Sequence, residues 1–209
     1  GNRLSTESVA ARDAYVEALD VMLAALDGAM ERFHLAVSED PNFAMGHIAL
    51  ARHHQVWGNA AGVKPALSAA LALEKVSTQA ASHINAFSLL MSGQVPAGYA
   101  AVRAHLQEYP RDALIASTCA GVFSLIGFSG QPGREAELLA FSTSLAPHYG
   151  NDWWFTGIHA FSMMEAGQVG PASAMIETSL KGHARNATAA HIRSHLYYEN
   201  GETEAGMGY

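Results

Sequence analysis

The chain has 209 residues, of which 49% are hydrophobic and 15% charged, a balance that excludes disorder and supplies a well-buried, alanine-rich core. A formal net charge of −7 argues against nucleic acid or an anionic membrane surface as partner. No uncharged apolar run reaches about 18 residues, so no membrane span is expected; the single cysteine, Cys119, excludes an internal disulfide and fits a reducing, cytoplasmic setting.

Helix signals follow one another from the start, and no stretch alternates with the period of a strand. Ser5 or Thr6 caps a first helix whose apolar face is Val9, Tyr15, Leu19, Met22, Leu23 and Leu26. Residues 29–39 form the next, stopped by Asp40-Pro41. Helices are then predicted over 43–57, 65–75, 78–91, 96–109, 112–126 and 134–146, with Pro110 and Pro147 as stops. A helix carrying Trp154, Ile158, Phe161 and Glu165 closes at Gly167, and Ala172–Leu180 ends at Lys181-Gly182. Asn186 caps a further helix that runs to Gly201.

The turn glycines Gly58, Gly93, Gly130, Gly167 and Gly201 are 35, 37, 37 and 34 residues apart. A helix-turn-helix unit with a period in the middle thirties is the pattern of a tetratricopeptide-type α-solenoid. The expected fold is therefore all-α: one domain over residues 1–209, with antiparallel hairpins stacked into a right-handed superhelix. The chain starts Gly1-Asn2-Arg3 without methionine and ends partway into a predicted helix. An array incomplete at its C-terminus is expected, with Ile192, Leu196 and Met207 left uncovered and able to pair with another copy.

Two segments are more specific than the period. The run Asp40-Pro41-Asn42-Phe43-Ala44-Met45-Gly46-His47, and Gly157 to Glu165 followed one repeat later by His191 and His195, resemble the tetratricopeptide repeat protein 38 family and its bacterial relatives. Leu4-Ser5-Thr6 and Tyr109 to Leu114 also look like it. The resemblance implies a helical-repeat fold and no settled activity. His159 departs from it, standing where the family pattern has an aromatic residue.

Eleven histidines are many for this length, and their frame is informative. His83 and His191 each lie ten residues before a turn glycine, Gly93 and Gly201, and His47 lies eleven before Gly58. Arg52, Phe87 and His195 follow about one helical turn later. In such arrays the first helices line the concave face, so His47, Arg52, His83, Phe87, His191 and His195 are expected to line one ligand groove. Its partner would be a protein or peptide segment, or a small anionic ligand. His191 and His195 could reach one metal ion, but two histidines are not a site and Arg193 between them is no general base; no metal or cofactor is expected. His53-His54 reads as a solvated helix end, and Trp153, Trp154 and Phe155 as core. Two function classes follow. The first is a scaffold whose groove binds a segment or small ligand. The second is a hydrolytic or metal-dependent site that the histidine-rich groove forms with residues beyond this chain.

Overall fold

The computed structural model describes residues 4–209, and among these it is helical without a strand. The chain groups into two compact units. The first is the chain up to Met22 with Asp27–Ala116; the second is Leu23–Leu26 with Ser117–Tyr209. Unit 1 holds α1 (Val9–Leu23, whose last residue belongs to unit 2), α2 (Ala29–Glu39), α3 (Ala44–Val56), α4 (Ala60–Leu71), α5 (Thr78–Met91), α6 (Val95–Glu108) and most of α7 (Ala113–Ser117). Here α3 packs on α2, α4 and α5, and α5 packs on α6. Tyr15 is wedged edge-on between Phe33 and Phe43, with ring centroids 6.1 and 5.1 Å away. Unit 2 holds α8 (Arg134–Tyr149), α9 (Trp153–Glu165), α10 (Val169–Gly182), α11 (Ala187–Glu199) and α12 (Thr203–Gly208). There α9 is central, touching α8, α10 and α11. Its Ala160 and Met164 join Ile176, Ala189, Ile192 and Leu196 in one buried cluster, each large aliphatic side chain contributing about 1.5–3 kcal/mol by leaving water.

The hairpins close by one repeated device. After α3, α5, α9 and α11 a glycine adopts positive φ: Gly58, Gly93, Gly167 and Gly201. In each case the glycine N–H and the next N–H return to the helix. Gly58 bonds Gln55 and Asn59 bonds His54; Gly93 bonds Leu90 and Gln94 bonds Leu89. Gly167 and Gln168 bond Met164 and Met163, and Gly201 and Glu202 bond Tyr198 and Tyr197. Two such bonds around a left-handed residue are a Schellman motif, which satisfies carbonyls the helix end would orphan. The spacing of these glycines in the sequence is thus the spacing of helix stops in space.

The fifth glycine behaves differently. The helix expected over 112–126 stops at Ser117, and turns follow through residue 129. Gly121 takes φ 85°, and a Cβ on Gly127 would stand 2.4 Å from the Gly121 carbonyl oxygen. Two glycines that allow backbone to touch backbone outweigh the apolar periodicity of this stretch. Gly130 therefore ends no helix, although its φ is positive. Other boundaries also move. α4 starts at Ala60, because the Asn59 side chain accepts from Gly62 N–H and so caps it five residues before Pro65. α8 continues through Pro147 to Tyr149. At the other end of the chain, Ile192 and Leu196 are buried against α9 and α10, contrary to the expectation of an uncovered face, while Met207 is exposed. No helix among the described residues is long and apolar enough to cross a membrane.

Candidate functional site

Of the six expected groove residues, His47, Arg52, His83 and Phe87 lie in unit 1 and His191 and His195 in unit 2. Phe87 and His83 are wholly buried in unit 1. An imidazole without exposure cannot face an open concavity, so His83 is corrected from groove residue to interior residue. Arg52 is largely withdrawn: one terminal nitrogen donates to Gln55 Oε1 at 2.7 Å, its Nε is buried without a partner, and burial lowers its pKa. His47 Nε2 lies 2.8 Å from the Pro41 carbonyl oxygen, closing the Asp40-Pro41 corner. There Asp40 also accepts from Asn42 N–H and Thr6 Oγ1, and Phe43 lies against Gly46, whose missing Cβ makes room for its ring. The segment behind the family resemblance is therefore a folded corner. His53 and His54 are likewise buried, not solvated, and burial lowers both pKa values.

His191 and His195 are exposed on α11 of unit 2, with their Nε2 atoms 3.0 Å apart and rings in an edge-to-face pair. Tyr198, 80% exposed, continues their line one turn on. Buried Ala189, Ile192 and Leu196 hold the opposite side of this helix in the core. The pair lacks a third donor: among the described residues, one group of three His, Cys, Asp or Glu donors can reach a common ion, and it lies elsewhere. Glu165, on α9, is exposed.

That other group is His83, His105 and Asp112, all buried in unit 1. Asp112 Oδ2 lies 2.7 Å from His83 Nδ1 and 3.1 Å from His105 Nε2, so both rings donate N–H to a single carboxylate oxygen. Asp112 Oδ1 accepts from Ile115 N–H at 3.1 Å, the N-cap contact that starts α7. His105 Nδ1 accepts from the half-buried Ser82 hydroxyl at 2.9 Å. His83 Nε2 is buried with no hydrogen-bond partner. Burial alone would raise the Asp112 carboxyl; the charge of His83 and the hydrogen bonds from both rings overcome that and hold it well below the usual carboxylate range. Its charge, after burial itself, also raises the Tyr15 phenol. Sequence reading found His83 but paired it with the wrong residues, and passed over His105 and Asp112.

The same corner is built three times. At each, the end of one helix passes to the next through two backbone bonds of fixed spacing: Asp40 to Ala36 and Phe43 to Asp40; Tyr109 to His105 and Asp112 to Tyr109; His183 to Ser179 and Asn186 to His183. Spacing aligns the triplets Ala14/Ala36/Phe43, His83/His105/Asp112 and Gly157/Ser179/Asn186, the first and last members being 29 residues apart in each. In unit 2, Asn186 Nδ2 donates to Ser179 Oγ at 3.3 Å and its Oδ1 accepts from Ala189 N–H. A Cβ on Gly157 would stand 3.0 Å from Ser179 Oγ. The positions are shared; the ionisable chemistry occurs at one corner of the three.

No protein-family profile matches the chain, and no curated protein matches it. Among solved structures it is similar to YrrB, a TPR protein with an unusual peptide-binding site, at 10% identity and a TM-score of 0.44, over 90% of this chain and 92% of that one. It is also similar to the TPR domain of P58(IPK), at 18% identity and a TM-score of 0.33, over 95% of this chain and 58% of that one.

Proposed function

We propose that this chain is a helical-repeat scaffold that binds an acidic protein or peptide segment, and that the exposed line His191, His195 and Tyr198 on α11 is a contact surface. The observation that carries the reading is this line itself. Three ring side chains lie at helical spacing on a solvent-facing side, where no packing in the unit requires them. Imidazoles donate hydrogen bonds to carboxylates and gain charge near neutral pH, and a phenol offers both a flat face and a hydroxyl. Arg193 flanks the line on the same helix, with its guanidinium 4.7 Å from the Tyr209 ring centroid and Nε 3.0 Å from Glu177. A membership close to the tetratricopeptide repeat protein 38 family belongs to the same proposal and rests on the corner at Asp40–His47.

The test is an array of peptides rich in Asp and Glu with free C-terminal carboxylates, followed by anisotropy titration of those retained. The expected result is a bound subset whose affinity falls at least about tenfold, near 1.4 kcal/mol, in the H191A/H195A variant. Retention of no peptide, or equal affinity in the variant, would overturn the reading.

A further inference from the structure

We propose that His83, His105 and Asp112 form a binding site for a zinc-type divalent cation, with Asp112 Oδ2, His83 Nδ1 and His105 Nε2 as its donor atoms. The proposal is independent of the α11 surface, which lies in the other unit.

Donor chemistry is the first argument. Two imidazole nitrogens and a carboxylate oxygen suit Zn²⁺ and its spectroscopic stand-in Co²⁺, and three protein ligands leave a fourth position for water. The three atoms already converge within 4.8 Å of one another. Tetrahedral coordination with bonds near 2.0 Å separates donors by roughly 3.3 Å, so the ion needs an opening of about half an ångström at the 2.7 Å contact of His83 with Asp112.

Outer partners supply the second argument. Metal-bound imidazoles usually pass their other N–H to an oxygen, and bound carboxylates are held by a further hydrogen bond. Here Ile115 N–H holds Asp112 Oδ1, and Ser82 Oγ stands 2.9 Å from His105 Nδ1. The protons on His83 Nδ1 and His105 Nε2 must leave those nitrogens before the ion binds: a neutral ring passes its proton to its other nitrogen, whereupon His105 Nδ1 donates to Ser82 Oγ, and a doubly protonated ring releases one proton to solvent.

The corner itself needs none of these charges, because Ala14, Ala36 and Phe43 occupy it in one repeat and Gly157, Ser179 and Asn186 in another, with the same backbone bonds. A buried charge recovers little net stability from its partners, so the fold gains little by placing one at this corner; His83 Nε2 is buried and unpartnered with or without an ion on Nδ1.

The experiment is a titration of chelator-treated protein with Co²⁺ and, separately, with Zn²⁺ read by equilibrium dialysis and elemental analysis. The wild type should take up one ion per chain and develop the intense visible bands of four-coordinate cobalt. Zinc should also raise its melting temperature. The H105S/D112N variant copies the Ser179/Asn186 corner and so keeps the helix cap; it should lose uptake and bands together. Ser82→Ala should weaken zinc binding by roughly 10–100-fold at unchanged helical content. H191A/H195A should change nothing. Wild-type protein that binds neither ion at micromolar concentration overturns the proposal whether or not any variant folds. So does uptake that survives in H105S/D112N, or uptake that disappears in H191A/H195A.

Discussion

Two corners of this molecule share a backbone and differ in chemistry. In unit 1 the three equivalent positions hold His83, His105 and Asp112; in unit 2 they hold Gly157, Ser179 and Asn186. Both corners end one helix and cap the next with a side-chain oxygen, Asp112 on Ile115 N–H and Asn186 on Ala189 N–H. A neutral amide therefore suffices for the turn and the cap. What the first corner adds is one negative charge and two rings aimed at it, placed where water cannot share the cost of desolvation. The fold explains the capping oxygen of Asp112 and of Asn186, and the charge calls for a different explanation.

Substitution at the two caps should separate these roles most strongly. Asp112→Ala leaves two buried imidazole N–H groups without their acceptor and should cost about 3–5 kcal/mol. Asn186→Ala removes a cap and one neutral hydrogen bond, and should cost about 1–2 kcal/mol. Urea unfolding with probes in each unit measures both, and equal losses would mean that the ionic corner is merely a cap. The next effect treats the units alike. Gly93→Ala and Gly167→Ala each force a Cβ into left-handed backbone at φ 79° and should each lose roughly 1–2 kcal/mol. A large difference between them would show that the Schellman turns are not equivalent.

Acid separates the corners more gently. The Asp112 carboxyl is held below its unfolded value, so its contribution is present above an unfolded pKa near 3.9 and is lost as the pH falls through the folded value. The stability advantage of the wild type over D112N should shrink below about pH 4, and an advantage that grows there would contradict the assignment. The smallest effect concerns His159, whose pKa is lowered by burial. Its neutral form is favoured in the fold, so stability is full above about pH 6.5 and declines as the pH falls below it. His159→Phe keeps a ring beside Phe155, 5.9 Å away, and Ser142 keeps its bond to the Leu139 carbonyl. The variant should match the wild type at pH 7.5 to within about 1 kcal/mol and lose less stability on going to pH 5.5.

The hairpin frame was legible because its signals are local. A glycine after an amphipathic run needs only its own φ to stop a helix, and Gly58, Gly93, Gly167 and Gly201 do so. Asn186 was readable as a cap for the same reason. The cluster was not legible in that way. Its members come from α5, from α6 and from the residue before α7, and no motif spans residues 29 apart. Histidines at one offset from the turns suggested a shared face, yet His83 points inward and His191 outward, because a helix in a hairpin array has more than one packed side. A column reading would have found the site. Listing the residues 22 and 29 positions beyond Ala14, His83 and Gly157 returns small or neutral residues twice and two more ionisable groups once. The short α7 escaped because it depends on Gly127 meeting the Gly121 carbonyl, a contact that apolar periodicity does not encode.

The four Schellman turns carry a practical consequence. Each needs glycine at one position and asks nothing of the residue before it, which is Trp57, Ser92, Ala166 or Asn200, all exposed. These tips are ready attachment points for a probe. Cys119 is fully buried, so a cysteine placed at Ala166 would be the accessible thiol in the folded chain. A maleimide dye would then mark one hairpin, and delayed labelling of Cys119 would clock the opening of the surroundings that shield it.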